Sequence, residues 1–179
     1  MNLSEHFTKE ELCHSNTANK YKASNDPSPI HMKTLIHTCE YFLEPLRKLL
    51  NEHYKTYNGK KVDYVCINIT SGYRSQVVNN LLRKEGYKPS TTSQHCTGEA
   101  VDFDVYVVSG KNKTKIPYTE TYRLIKNWVK SGKLSVDQLI CEKSGSMLWV
   151  HASYKAGGAS VNRRQFMLYQ NGTYITDRS

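Results

Sequence analysis

Apolar residues change their spacing several times along the chain, and each change predicts an element. Across residues 30 to about 54, Leu35, Cys39, Phe42, Leu46 and Leu49 recur at intervals of three and four, the signature of one buried helix face. Pro45 falls inside that run and predicts a kink or short break, because proline has no N–H to give and crowds the preceding turn. Over residues 63–70 the period drops to two. Val65, Ile67 and Ile69 alternate with Cys66 and Asn68, as in a half-buried strand. Helical spacing returns behind Ser75 with Val77, Val78, Leu81 and Leu82. Residues 100–108 form the next strand, and residues 109–117 a basic hairpin or loop. Pro117 or Thr119 then opens a helix with Tyr122, Ile125 and Val129 on its inner face. Residues 136–141, 148–153 and 165–169 are predicted strands, with 174–175 a last short one.

Polar positions punctuate the same pattern. Thr8-Lys9-Glu10-Glu11 has the form of a capping box, in which the threonine and the glutamate satisfy each other's backbone N–H groups at a helix start. Residues 15–29 are predicted as a polar loop, with Ser28 capping the following helix and Pro29 in its first turn. The long polar stretch 86–98 has the length at which a loop within a compact domain tends to carry function. Helices come mainly early and strands mainly late. The expected class is therefore α+β, a largely antiparallel sheet with helices packed against it. With no repeat or linker composition, residues 1–179 are expected to form a single domain.

Composition narrows the partners. A chain that is 38% hydrophobic and 23% charged is neither disordered nor fibrous. Its net charge of +9 favours polyanions, among them nucleic acid, anionic lipid and a phosphate- or carboxylate-bearing cell wall. The cations are scattered, without a block of five. No specific nucleic-acid partner is expected, and a plain soluble basic surface explains the charge equally well. No stretch approaches the roughly 18 apolar residues of a membrane span, so no membrane insertion is expected. The start, MNLSEHFTKEEL, lacks the basic and apolar regions of a secretory signal. Synthesis in the cytoplasm, with any release by other machinery, is the expectation. Five cysteines with no C-x-x-C pair argue against a disulfide framework or a thiolate metal cluster.

The chemistry concentrates in Ser93-Gln94-His95-Cys96-Thr97-Gly98-Glu99-Ala100-Val101-Asp102 and in Trp149-Val150-His151. A histidine at the end of a loop, a turning glycine and an aspartate on the next strand can bring imidazole nitrogen and carboxylate oxygen to one zinc ion. His151, on a later strand, would complete a set of three and leave a fourth position for water, the layout of a catalytic zinc site. Taken singly, each residue has a plainer reading: a surface histidine, a solvent-facing carboxylate, a core histidine bonded to backbone.

The segment resembles the S-x-H-x-x-G-x-A-x-D motif of the M15 peptidases, D-alanyl-D-alanine carboxypeptidase-like zinc enzymes whose fold is shared with the hedgehog signalling domain. Ser71-Gly72-Tyr73-Arg74-Ser75 is similar to that family's S-G-Y-R-S element. Asp137-Gln138-Leu139-Ile140-Cys141-Glu142 and Trp149-Val150-His151-Ala152-Ser153 are similar to its last two blocks. The start of the chain, from Leu3 to Thr8 and from Ser15 to Ala18, resembles phage and prophage members. The resemblance implies a hedgehog/DD-peptidase-like fold and one zinc ion held by His95, Asp102 and His151. It implies a substrate carboxylate gripped by Arg74, further substrate contacts from Ser93 and Trp149, and a monomer that cuts the stem peptide of peptidoglycan, as endolysins do.

One departure stands out. Several relatives carry the general base three residues before the last histidine, where this chain has Leu148. Glu142 is the expected substitute, Glu99 a weaker one, and Asp104 is expected beside Asp102 or facing solvent. A catalytically silent, zinc-containing module that binds wall or protein is the alternative. A cysteine hydrolase built on Cys96 and His95 is a further one, disfavoured because adjacent residues point to opposite sides of an extended chain.

Overall fold

The computed structural model describes all 179 residues. Three helical segments come first: α1 (Lys9–Cys13), α2 (Asn16–Tyr21) and a long helix made of α3 (Pro29–Thr38), a π-helical turn (Cys39–Leu43) and α4 (Glu44–His53). A small hairpin follows, β1 (Thr56–Tyr57) and β2 (Lys60–Lys61). Then come β3 (Tyr64–Ser71), α5 (Gln76–Lys84), a 3-10 turn (Gln94–Thr97), β4 (Ala100–Ser109), β5 (Asn112–Lys115) and α6 (Tyr118–Lys130). The chain ends with β6 (Gln138–Ser144), β7 (Met147–Ser153), β8 (Gln165–Gln170) and β9 (Thr173–Thr176).

The main sheet has seven strands in the order β3-β4-β7-β6-β8-β9, with β5 pairing to β4. Every pairing is antiparallel except β6 with β8. The class is α+β, as expected. One face of the sheet is apolar: Val65 and Ile67 of β3, Val101, Phe103, Val105 and Val107 of β4, Val150 and Ala152 of β7, and Leu139 and Cys141 of β6. α4 and α6 cover that face. Leu46 and Leu50 come from α4, and Tyr122, Ile125 and Val129 from α6, all into one core cluster of 29 buried residues. Asn51 of α4 ties helix to sheet by accepting from the Val65 N–H at 2.8 Å.

Several sequence expectations shift. The break expected near Pro45 lies just upstream, as the π turn, whose wider coil accommodates a residue that cannot donate to the ladder. Leu50 rather than Leu49 completes the fully buried stripe. The predicted loop 15–29 contains α2, six residues capped by Ser15. Propensity over so short a run is weak, and packing decides it. Val77 is exposed, and α5 buries Val78 instead. The Thr8 capping box is formed with both reciprocal bonds. No helix is long and apolar enough to cross a membrane.

Candidate active site

The opposite face of the sheet carries the chemistry, and strand alternation explains why. Register aligns Ser71 of β3, Asp102 of β4, His151 of β7, Ile140 of β6 and Met167 of β8 in one row across the strands. A second row aligns Trp149, Glu142, Tyr169 and Tyr174. Residues directly opposite in a sheet share a face. Apart from Ser71, these two rows floor a cleft of about 910 Å³, a volume in the range of small-ligand sites. All seven residues singled out in the sequence line it: Arg74, Ser93, His95, Asp102, Glu142, Trp149 and His151.

His95 arrives from the 3-10 turn rather than from the sheet. Two glycines fix its position. A Cβ at Gly72 would sit 2.2 Å from the Leu12 carbonyl oxygen, so only glycine passes under the end of α1. The Gly72 carbonyl then accepts from His95 Nδ1 at 2.7 Å, which leaves Nε2 facing the cleft. Gly98 ends the turn at φ +79°, and its carbonyl accepts from buried Thr38 at 2.8 Å. The loop is pinned from its other side by fully buried Asp137. That carboxylate accepts from Gln94 at 3.0 Å and from the Arg163 guanidinium at 2.9 and 2.5 Å.

Three donor atoms converge on one point. His95 Nε2 lies 3.3 Å from His151 Nδ1 and 3.4 Å from Asp102 Oδ1, and His151 Nδ1 lies 2.8 Å from the same oxygen. Zinc with tetrahedral bonds of about 2.0–2.1 Å would hold its ligand atoms about 3.3–3.4 Å apart, so the two longer separations match a metal site and the third needs only a slight opening. No other group of three or more histidine, cysteine or acidic side chains has metal-binding geometry. The electrostatics are those of a coupled cluster. Burial opposes the Asp102 charge, but the two imidazoles outweigh it and hold the carboxyl well below its usual range. Burial lowers His95. For His151 burial also works downward, yet the direct bond and charge of Asp102 win and raise it.

Glu142 differs from every other carboxylate in the cleft. It is 7% exposed, and no hydrogen bond or opposing charge in its surroundings offsets burial fully. Burial, between Trp149 and Tyr169, pushes its carboxyl up to about 7. The nearby His151 pulls it down, and Asp102 pushes it further up. Leu148, where relatives carry a base, pairs with Lys143 on the other face of β7 and does not line the cleft. Glu99 lines the cleft but accepts from Thr97 at 3.0 Å, and Asp104 is held by Lys115 at 2.8 Å outside it.

In the wall of the cleft, Arg74 donates to Ser93 Oγ at 3.3 Å, while its buried Nε has no partner. Asn25 clamps the segment behind it, donating to the Tyr73 carbonyl and accepting from the Ser75 N–H. Cys96 lies outside the cleft, in a separate hollow with His31 and Tyr73, and burial raises its thiol, which is the wrong direction for a nucleophile. Sequence pattern does not reveal Tyr169, Tyr174, Asp137 and Arg163 as site residues. Tyr169 and Tyr174 reach the site only through cross-strand register, and Asp137 and Arg163 through hydrogen bonds between loops distant in the chain.

No curated protein and no solved structure matched the chain. One family model did, over residues 15–120, well over half of the chain; it is described as peptidoglycan L,D-endopeptidase MepK. The matched stretch holds Arg74, Ser93, His95 and Asp102, while Glu142, Trp149 and His151 lie beyond it. With that match, the chain belongs to the M15 peptidase family.

Proposed function

We propose that the protein is a zinc metallopeptidase that hydrolyses peptide bonds in the peptidoglycan stem peptide, with His95, Asp102 and His151 as ligands of one zinc ion and Glu142 as general base. A bound zinc ion supplies a Lewis acid and makes water acidic near neutral pH. Asp102 and the two imidazoles hold the metal. The Gly72 carbonyl keeps His95 in the required tautomer. Glu142 takes a proton from the attacking water and delivers it to the departing amine. A pKa near the working pH suits both transfers. Arg74, with an unpartnered Nε and a fork geometry, grips a substrate carboxylate, and Ser93 and Trp149 complete the contacts.

The single observation that carries this reading is a buried carboxyl without a hydrogen bond, in the same cleft as a three-donor metal cluster. A structural acid would be paired. The family match and the +9 charge support an anionic wall as the target. A monomer with a hedgehog/DD-peptidase-like fold, acting on the wall after release in the manner of a phage endolysin, completes the proposal. Leu148 gives little support to the silent-module alternative, since it faces away from the cleft.

The test is digestion of purified peptidoglycan by zinc-loaded protein, with released fragments identified by mass spectrometry. Expected is release of new peptide ends, lowered about 10²–10⁴-fold in Glu142→Gln with zinc content unchanged. Undiminished release by that variant would remove Glu142 from the mechanism. The fragments also name the bond and separate endopeptidase from carboxypeptidase action.

A further inference from the structure

The C-terminal hairpin brings a group to the cleft that the family match does not reach. β8 and β9 pair so that Tyr169 lies opposite Tyr174, and Tyr169 in turn lies beside Glu142. The two tyrosine rings are 4.6 Å apart, centroid to centroid. Tyr174 therefore leans on Tyr169 along the row that leads to Glu142 and Trp149. The hairpin is anchored from behind. Asp177, just past β9, is bound by Lys126 at 2.7 Å and by the Tyr122 hydroxyl at 2.7 Å, both on α6.

Tyr174 is 58% exposed and lines the same cleft as Glu142, Asp102 and Arg74. Desolvation raises the phenol to about 12, with the charges of Glu142 and Asp102 adding to it and Arg74 opposing. All three line the cleft. No residue of the fold receives a hydrogen bond from this hydroxyl, so an unpaired donor stands on the cleft wall, in the row that holds Glu142 and Trp149.

We infer that Tyr174 is a catalytic residue whose phenol hydroxyl donates to the substrate's reacting carbonyl oxygen as negative charge develops there. The inference rests on the peptidase reading and deepens it. Glu142 accepts protons and Arg74 is committed to a carboxylate, which leaves the developing oxyanion without a side-chain donor; Tyr174 supplies one. The donor stays protonated across the neutral range, because its proton is lost only near pH 12.

The experiment compares zinc-loaded wild type with Tyr174→Phe, which removes one oxygen from a largely exposed ring. Two readouts are taken: calorimetric affinity for a phosphinate pseudo-dipeptide, whose tetrahedral anion mimics the charged intermediate, and kcat and KM on soluble wall peptides. Expected are unchanged zinc content, phosphinate affinity about tenfold weaker, and kcat about 10- to 100-fold lower with KM nearly constant. Equal phosphinate affinity in the two proteins overturns the assignment of Tyr174, whatever happens to turnover. If wild type cleaves no wall peptide yet phosphinate binding weakens in the variant, Tyr174 stands as an anion donor and the peptidase reading falls. If wild type binds no phosphinate at all, both fall.

Discussion

The two faces of one sheet share strands and differ in nearly everything else. On β4, Val101, Phe103, Val105 and Val107 point to the helices and are almost fully buried, while Asp102 and Asp104, between them, point the other way. On β7, Val150 and Ala152 are core, and Trp149 and His151 floor the cleft. The helix-covered face is shape-matched and apolar, so it supplies stability. The cleft face holds buried charges, one of which has no hydrogen-bond partner. It supplies chemistry at a cost in stability. Because neighbouring residues alternate faces, a substitution one position away should change which property is affected.

The largest stability effect is expected on the apolar face. Phe103→Ala, which removes a ring packed 6.3 Å from that of Phe42, should lower stability by about 3–5 kcal/mol in urea unfolding, with zinc binding surviving in the folded fraction. A smaller loss would mean that the core tolerates a cavity there.

Glu142→Gln should act in the opposite sense in metal-free protein. The Glu142 carboxyl titrates at about 7 in the fold against 4.5 when free, so the folded state holds its proton more tightly. Below pH 4.5 both states are protonated, and nothing is lost. As pH rises through the window between 4.5 and about 7, the unfolded chain ionises first and the folded state loses stability. By pH 8 the variant should exceed wild type by up to about 3 kcal/mol, while near pH 4 the two should nearly coincide. Chemical unfolding at both pH values, with chelator present, checks the sign. A gap of equal size at pH 4 would assign the effect to something other than ionisation.

The smallest effect is expected at Leu148. Leu148→Glu would restore the acid found in relatives, but on the far face of β7, so stability should move by less than about 0.5 kcal/mol and turnover should not rise. A large gain in kcat would mean that β7 does not keep its register in the working enzyme.

Much of the fold and site is legible in the sequence, for a physical reason in each case. Strict alternation in β3 and β4 carries its own face assignment, so the pattern alone sets Asp102 on the face opposite Val101 and Phe103. The turn from His95 through Gly98 to Asp102 is local, and its residues must lie near one another. His151 and Glu142 belong with them only through long-range pairing, and there the ordered motifs of the family provide the link. What stays hidden depends on register across strands far apart in the chain. Tyr174 reaches the site through β9, β8 and β6, and Asp137 reaches Gln94 and Arg163 from different loops. α2 is hidden because its six residues are helical through capping and packing rather than through pattern. The π turn is half visible, since Pro45 announces a break without fixing which turn absorbs it.

The central claim is that His95, Asp102 and His151 bind one zinc ion. Zinc titration of metal-free protein, followed by X-ray absorption at the zinc edge, tests it most directly. Expected are one ion per chain, two nitrogen and one oxygen protein ligands at about 2.0–2.2 Å, and loss of the site in His151→Ala. Binding of equal strength and stoichiometry in His151→Ala, or sulfur in the coordination shell, would contradict it.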